Sequence, residues 1–187
     1  EAVVHLAAIA GPFSAPEDVS LRTNAALAAA VLGGAVASGI KRVVVASSPT
    51  VIGYGAPAGW VPESFPIDEN TTPRPWNAYA LSKLLIEQAA AMVPRAAGDS
   101  VRVASFRPCY VIAPEEWHGA PTQQGHTVLE RLADPALSAP ALFNYVDARD
   151  VASFTDTLLA ALPEIPNAQT FFVGADDALA RAPLAEL

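Results

Sequence analysis

The chain has 187 residues, is 52% hydrophobic and 16% charged, and carries a formal net charge of −8 with a pI near 4.7. That length and apolar content suit one folded domain with a substantial core, and the acidic balance, with no Lys/Arg stripe, argues against a nucleic-acid partner. A single cysteine, Cys109, excludes an intrachain disulfide and fits a reducing, cytoplasmic compartment, while no Cys/His cluster has metal-ligand spacing, so a metal-free protein is expected.

The chain opens on Glu1 and runs straight into Ala2-Val-Val-His-Leu-Ala-Ala8 without the basic region of a signal sequence, and reads as a chain whose beginning is missing. Val3 to Ala8 predicts a buried strand, with His5 a core histidine. A buried helix is predicted over Pro16 to Ser38, ended by Gly39. Its apolar stretch from Ala25 to Ile40 is interrupted by Gly33, Gly34 and Ser38 and falls short of the roughly 20 strongly apolar residues of a membrane span. No membrane association is expected. Arg42 to Ser47, with its Val-Val-Val centre, predicts a second strand covered on both faces. Pro49 to Trp76 is rich in Pro and Gly and long enough for a functional loop.

A helix from Asn77 to Met92, a strand from Val101 to Arg107 stopped by Pro108, and an irregular stretch from Ala113 to Gly125 follow. A helix near Thr127 to Ala133, a strand near Leu142 to Val146, a helix from Arg149 to Leu162 and a strand from Thr170 to Val173 complete the pattern. Strands alternate with helices as in a parallel α/β sheet, within one domain spanning 1–187 and no internal repeat.

Within Asn77-Ala-Tyr-Ala-Leu-Ser-Lys-Leu-Leu-Ile-Glu87, Tyr79 and Lys83 are spaced i, i+4, which places them on one helical face. With two Lys and four Tyr in the chain, chance predicts roughly 0.04 such pairs, so the spacing carries information. An ammonium beside a phenol favours the phenolate and suits general acid/base work. The same spacing also fits an amphipathic helix whose polar face happens to hold both residues.

In order along the chain, these segments resemble the extended short-chain dehydrogenase/reductase family, the group of NAD-dependent epimerases and dehydratases. His5-Leu-Ala-Ala8 is similar to the strand end that lies against the cofactor, and Asn24 to the family's structural and proton-relay asparagine. Val43-Val-Val-Ala-Ser-Ser-Pro-Thr-Val-Ile-Gly53 resembles the strand leading to the active-site Ser or Thr, which falls on Ser48. Phe106-Arg-Pro-Cys-Tyr-Val-Ile-Ala-Pro114 resembles the segment bordering the nicotinamide, and Tyr145-Val-Asp-Ala-Arg-Asp-Val-Ala152 a late strand-to-helix element. The resemblance implies a Rossmann-like, doubly wound parallel sheet, incomplete in its N-terminal half because no Gly-x-x-Gly-x-x-Gly loop occurs, with substrate-side elements near 113–146 and 163–187.

It implies catalytic roles for Ser48, Tyr79, Lys83 and Asn24, with Lys83 lowering the Tyr79 pKa and Asn24 holding Lys83 through water. It implies NAD or NADP contacts at Leu6, Ala7, Ala8, Ser47, Tyr79, Lys83, Pro108, Tyr110 and Val111. A small-molecule substrate with a hydroxyl or carbonyl group, a nucleotide sugar being one such class, and a homodimer packed through helices are implied as well. Tyr110 stands where the family has Asn, Ile52 where Tyr is usual, and Thr50 where dehydratases carry Glu, which turns the expectation toward oxidoreduction or epimerisation. The competing readings are a non-catalytic dinucleotide-sensing or interaction protein and an inactive piece of the enzyme. Ser48 also fits a strand-end serine satisfying a turn, and Asn24 an ordinary helix residue. Arg107 reads as structural, and Cys109 as a buried small residue.

Overall fold

The computed structural model describes residues 1–186. The elements in chain order are β1 (Ala2–His5), α1 (Glu17–Ala37), β2 (Arg42–Ala46), α2 (Ala78–Ala97), β3 (Arg102–Pro108), β4 (Tyr110–Ile112), α3 (Pro114–Trp117), α4 (Val128–Ala133), β5 (Tyr145–Asp147), α5 (Ala148–Ala161) and β6 (Gln169–Val173). They fall into two compact units, Glu1–Arg107 with Thr155–Phe172, and Pro108–Phe154 with the segment from Val173 onward.

In the first unit a four-stranded sheet has the order β1-β2-β3-β6. β2 pairs parallel with β1 (Val4 opposite Val44) and with β3 (Val44 opposite Ala104). This is the α/β arrangement that the alternating pattern predicts, in the Rossmann-like form that the resemblance implies. Val43, Val44 and Val45 are all fully buried, as a strand covered on both faces requires. α1 and α2 supply Ala28, Leu32, Ala35, Ile86, Ala90 and Val93 to one core with Val43, Val45, Val101 and Val103. Burying each of the larger aliphatic side chains stabilises the unit by roughly 1.5–3 kcal/mol.

β1 is shorter than expected and exposed along most of its length, because it lies at the sheet edge and only His5 is buried. α1 is not a fully buried helix either. It buries one stripe, Ser20, Asn24, Ala28, Leu32 and Ala35, and presents Ala and Gly elsewhere. By length and mean hydropathy (1.4) α1 reaches what a membrane-crossing helix needs, contrary to the expectation from its glycines. Its buried stripe packs into the core shared with α2.

The long 49–76 loop opens with a 3-10 turn, Pro49–Ile52, closed by Gly53 at φ 112°. Its aromatic residues organise it: Tyr54 and Trp60 meet edge to face at 5.4 Å, and Trp76 Nε1 donates to the Tyr54 carbonyl at 2.7 Å. A Cβ on Gly53 would lie 2.5 Å from Trp60 Cδ1 and 3.2 Å from the Arg74 carbonyl, at a backbone angle that L-residues avoid. Gly53→Ala is therefore expected to destabilise the chain by roughly 2 kcal/mol, read by urea unfolding, whereas Gly59→Ala, which meets only open space, should cost less.

In the second unit β4 and β5 pair parallel, Tyr110 opposite Tyr145. The strand expected from Leu142 begins only at Tyr145, since a 3-10 turn over Ala139–Ala141 leads into Leu142 and Phe143 at φ 53° and 59°. Both residues are left-handed, which a strand cannot accommodate. Among the described residues no group of His, Cys, Asp and Glu is placed to hold a metal ion.

Candidate active site

The site is built around the start of α2. Asn77 Oδ1 accepts from the Ala80 N–H at 2.8 Å, and the Glu17 carboxylate, from the first turn of α1, accepts from the Ala78 N–H at 2.5 Å. Two acceptors on the free N–H groups fix that turn, in which Tyr79 lies. Tyr79 and Lys83 are 8% and 4% exposed, and Lys83 Nζ sits 5.7 Å from the centroid of the Tyr79 ring. Lys83 Nζ donates to the Ala46 carbonyl at 2.9 Å, the last residue of β2.

Two residues further, Ser48 Oγ accepts from the Thr50 N–H at 3.3 Å and from Thr50 Oγ1 at 3.0 Å. It therefore caps the turn as a strand-end serine does, and a hydrogen bond from its hydroxyl favours the Tyr79 phenolate. That effect is the smaller one. Burial raises the Tyr79 phenol above its ordinary value, and burial likewise pushes the Lys83 ammonium down to about 8. The expectation that Lys83 lowers Tyr79 is thus corrected: both groups have left water, and desolvation disfavours the charged form of each. His5, buried with Nε2 unpartnered among the described residues, is lowered first by burial and then by the Lys83 charge.

Asn24 is fully buried and faces the turn after β1. Its Oδ1 accepts from Ile9 N–H at 2.8 Å, and its Nδ2 donates to Ile9 O at 3.2 Å and to Ser82 Oγ at 3.0 Å. The amide is thus committed to tying that turn to α2. Leu6 (61% exposed) and Ala7 lie open just past β1, Ala8 is half-buried, and Ser47 is buried. Ser48, Tyr79 and Lys83 come together in the first unit, with Asn24 one contact away through Ser82. Pro108, Tyr110 and Val111 belong to the second unit, where the Arg131 guanidinium stacks 4.3 Å over the Tyr110 ring and Val111 is 41% exposed. Nearby Cys109 has its thiol pushed up to about 11 by burial, which keeps it unreactive.

Arg107, read from the sequence as structural, and Glu87, to which the sequence assigns no role, are bonded to this face. Arg107 pairs with Glu87 through Nε to Oε1 at 2.8 Å and Nη2 to Oε2 at 2.9 Å, and Ser47 Oγ donates to Glu87 Oε1 at 2.5 Å. The available signal was spacing, since Tyr79, Lys83 and Glu87 recur every four residues.

Lys83 also gives a pH prediction. Its folded pKa of about 8 lies below the ordinary 10.5, so between those values the unfolded chain binds the extra proton and stability rises with pH, by up to roughly 3 kcal/mol. Tyr79, raised in the fold, acts in the opposite sense above its ordinary value of 10.0. Urea unfolding from pH 7 to 10 should show the rise, and Lys83→Met should remove it.

Over residues 1–174 the sequence matches the profile of the NAD dependent epimerase/dehydratase family. The chain belongs to that family. No curated protein matches this family member. Its fold is similar to that of RMD from Pseudomonas aeruginosa complexed with NADPH, at TM-score 0.69 and 23% identity over 94% of this chain and 61% of that one. It is also similar to a short-chain dehydrogenase/reductase superfamily protein from Agrobacterium tumefaciens with bound NAD (TM-score 0.71, 22% identity, 100% of this chain and 62% of that one). A third likeness is to UDP-glucose 4-epimerase from Brucella ovis in complex with NAD (TM-score 0.71, 20% identity, 95% and 59%). This epimerase/dehydratase-family chain spans about three-fifths of the length of those structures.

Proposed function

We propose that this chain serves an NAD(P)-dependent oxidoreductase or epimerase acting at a hydroxyl or carbonyl carbon of a small-molecule substrate, with a nucleotide sugar as the substrate class. The observation that carries the reading is the buried Tyr79–Lys83 face of α2 set against Ser48 just past the carboxyl end of β2. The carboxyl edge of a parallel α/β sheet is where such folds bind ligands.

The residues present fit a dinucleotide. Lys83 spends one of its three N–H donors on Ala46 O, leaving donors for a ribose hydroxyl, and the open Leu6-Ala7-Ala8 turn ends in small side chains that permit close approach. Leu6, Ala7, Ala8, Ser47, Tyr79 and Lys83 of the first unit would hold NAD or NADP. When bound, the nicotinamide supplies the hydride donor or acceptor.

Ser48 donates a hydrogen bond to the reacting substrate oxygen and stabilises its charge, and Tyr79 gives or takes the proton at that oxygen. Because burial holds Tyr79 as a phenol, it is ready to donate, the direction a carbonyl reduction needs. Lys83 orients the phenol, and Asn24 keeps the Ile9 turn against α2 through Ser82.

Titration of the chain with NADH and with NADPH, followed by nicotinamide fluorescence, tests the reading. Saturable binding supports it and reveals the preferred dinucleotide, and binding of neither overturns it for this chain.

We also propose a homodimer through the outer face of α2, where Leu81, Leu85 and Met92 are 38%, 41% and 57% exposed on one side. Leu85→Glu should shift the sedimentation equilibrium to monomer, and an unchanged mass would reject that interface.

A further inference from the structure

Three consecutive residues at the end of β2 meet three residues on one face of α2. The Ala46 carbonyl accepts from Lys83 Nζ at 2.9 Å, Ser47 Oγ donates to Glu87 Oε1 at 2.5 Å, and Ser48 interacts with the Tyr79 phenol. Ser47 Oγ also lies 3.5 Å from the Lys83 carbonyl. Glu87 is in turn gripped from β3 by both arms of the Arg107 fork, at 2.8 and 2.9 Å, and the Arg107 guanidinium stacks 5.0 Å over Phe172 of β6. Ser47, Lys83, Glu87 and Arg107 are each at most 7% exposed.

We propose that Glu87 is a positioning residue: held by Arg107, it locks the register of α2 against the end of β2 and so places Lys83 and Tyr79 opposite Ser48. The geometric reason is that one contact between a helix and a strand end permits rotation about it, whereas contacts one turn apart, at Lys83 and Glu87, stop both rotation and sliding. Tyr79 lies one turn further along the same face and is carried with them. A buried carboxylate–guanidinium pair is weak evidence of a gain in stability, since an apolar pair of equal volume often serves as well. Fixing a register is a use that apolar packing supplies poorly, because the Glu87–Arg107 pair is bidentate and directional. The proposal rests on the reading that Ser48, Tyr79 and Lys83 form the reacting site.

The chain has two lysines, Lys41 and Lys83, so ε-13C-lysine NMR yields two resonances and follows Lys83 alone. In the unsubstituted chain Lys83 should titrate near 8. In folded Glu87→Ala and Glu87→Asp, which lose reach, α2 shifts, Lys83 meets water and its titration moves up toward the ordinary 10.5. Glu87→Gln keeps the reach and an acceptor oxygen, so its Lys83 titration should not rise and should fall slightly with the lost charge. Loss of the Glu87 charge without movement would lower the Lys83 titration, so the sign separates positioning from simple electrostatics. Tyr79 and His5, the other titratable groups named beside Lys83, stay unaltered in every variant.

An unmoved Lys83 resonance in folded Glu87→Ala overturns the proposal. If Glu87→Ala does not fold, Ser47→Ala, which removes one hydrogen bond, should move Lys83 in the same direction by less, and no movement there overturns it equally. In a turnover assay Glu87→Asp should lower kcat at least tenfold with little change in KM, and Glu87→Gln should recover most of it. Native turnover with an unmoved Lys83 rejects the positioning role and leaves the proposed function standing, whereas a shifted Lys83 in a chain that never turns over rejects the function and keeps the register lock.

Discussion

On the proposed mechanism, replacing Tyr79 with Phe is expected to lower turnover by roughly a hundred- to ten-thousand-fold while leaving dinucleotide binding nearly intact. The substitution deletes one oxygen from a ring that is already 8% exposed, so packing changes little and α2 keeps its cap from Asn77. What is lost on that mechanism is the proposed proton donor at the substrate oxygen. Ser48 retains its two acceptor bonds to Thr50 and its proposed role at that oxygen, which is why some residual rate is expected. Steady-state rates beside a fluorescence titration separate the two effects, and a Tyr79→Phe protein with native turnover would sink the assignment of Tyr79.

Much of the frame behind this prediction is legible from local chemistry. The Val43–Val45 run reads as a doubly covered strand because three successive apolar residues leave no face for water, and all three are buried. Gly39 follows α1 at φ 69°, as a helix stop requires, and Asn77 caps α2 where its side chain predicts. The Tyr79–Lys83 spacing puts both groups on one buried face for the same local reason. Features that depend on distant partners are the ones local reading misses. The exposure of β1 follows from its place at the sheet edge, and the left-handed Leu142 and Phe143 from a turn that Leu179 closes by donating to Phe143 O at 2.8 Å. Asn24 looks like a helix-face polar residue until Ile9 and Ser82 arrive from elsewhere in the chain. The raised Tyr79 pKa belongs to the same class, because the spacing reveals the neighbouring ammonium and only the fold reveals how far both groups have left water.

Removing Arg107 is expected to produce the largest loss of stability. Arg107→Leu leaves Glu87, 7% exposed, with its guanidinium partner gone and only the Ser47 hydroxyl to satisfy it. Stranding one member of a buried pair typically costs about 3–5 kcal/mol, which in a chain of this size lowers Tm by roughly 10 °C. Replacing both members, Glu87→Leu with Arg107→Leu, removes the stranded charge and should recover most of that loss in urea unfolding. A double variant as unstable as Arg107→Leu alone would mean that the charges themselves hold the unit together. A recovered double variant carries a sharper consequence. It would fold well with no carboxylate to meet Ser47 and no fork to hold it, so stability and the alignment of Lys83 with Ala46 become separable properties of the same helix. Comparing the Lys83 titration in that variant with that of the native chain, expected near 8, then distinguishes a helix that is merely packed from one that is packed in register.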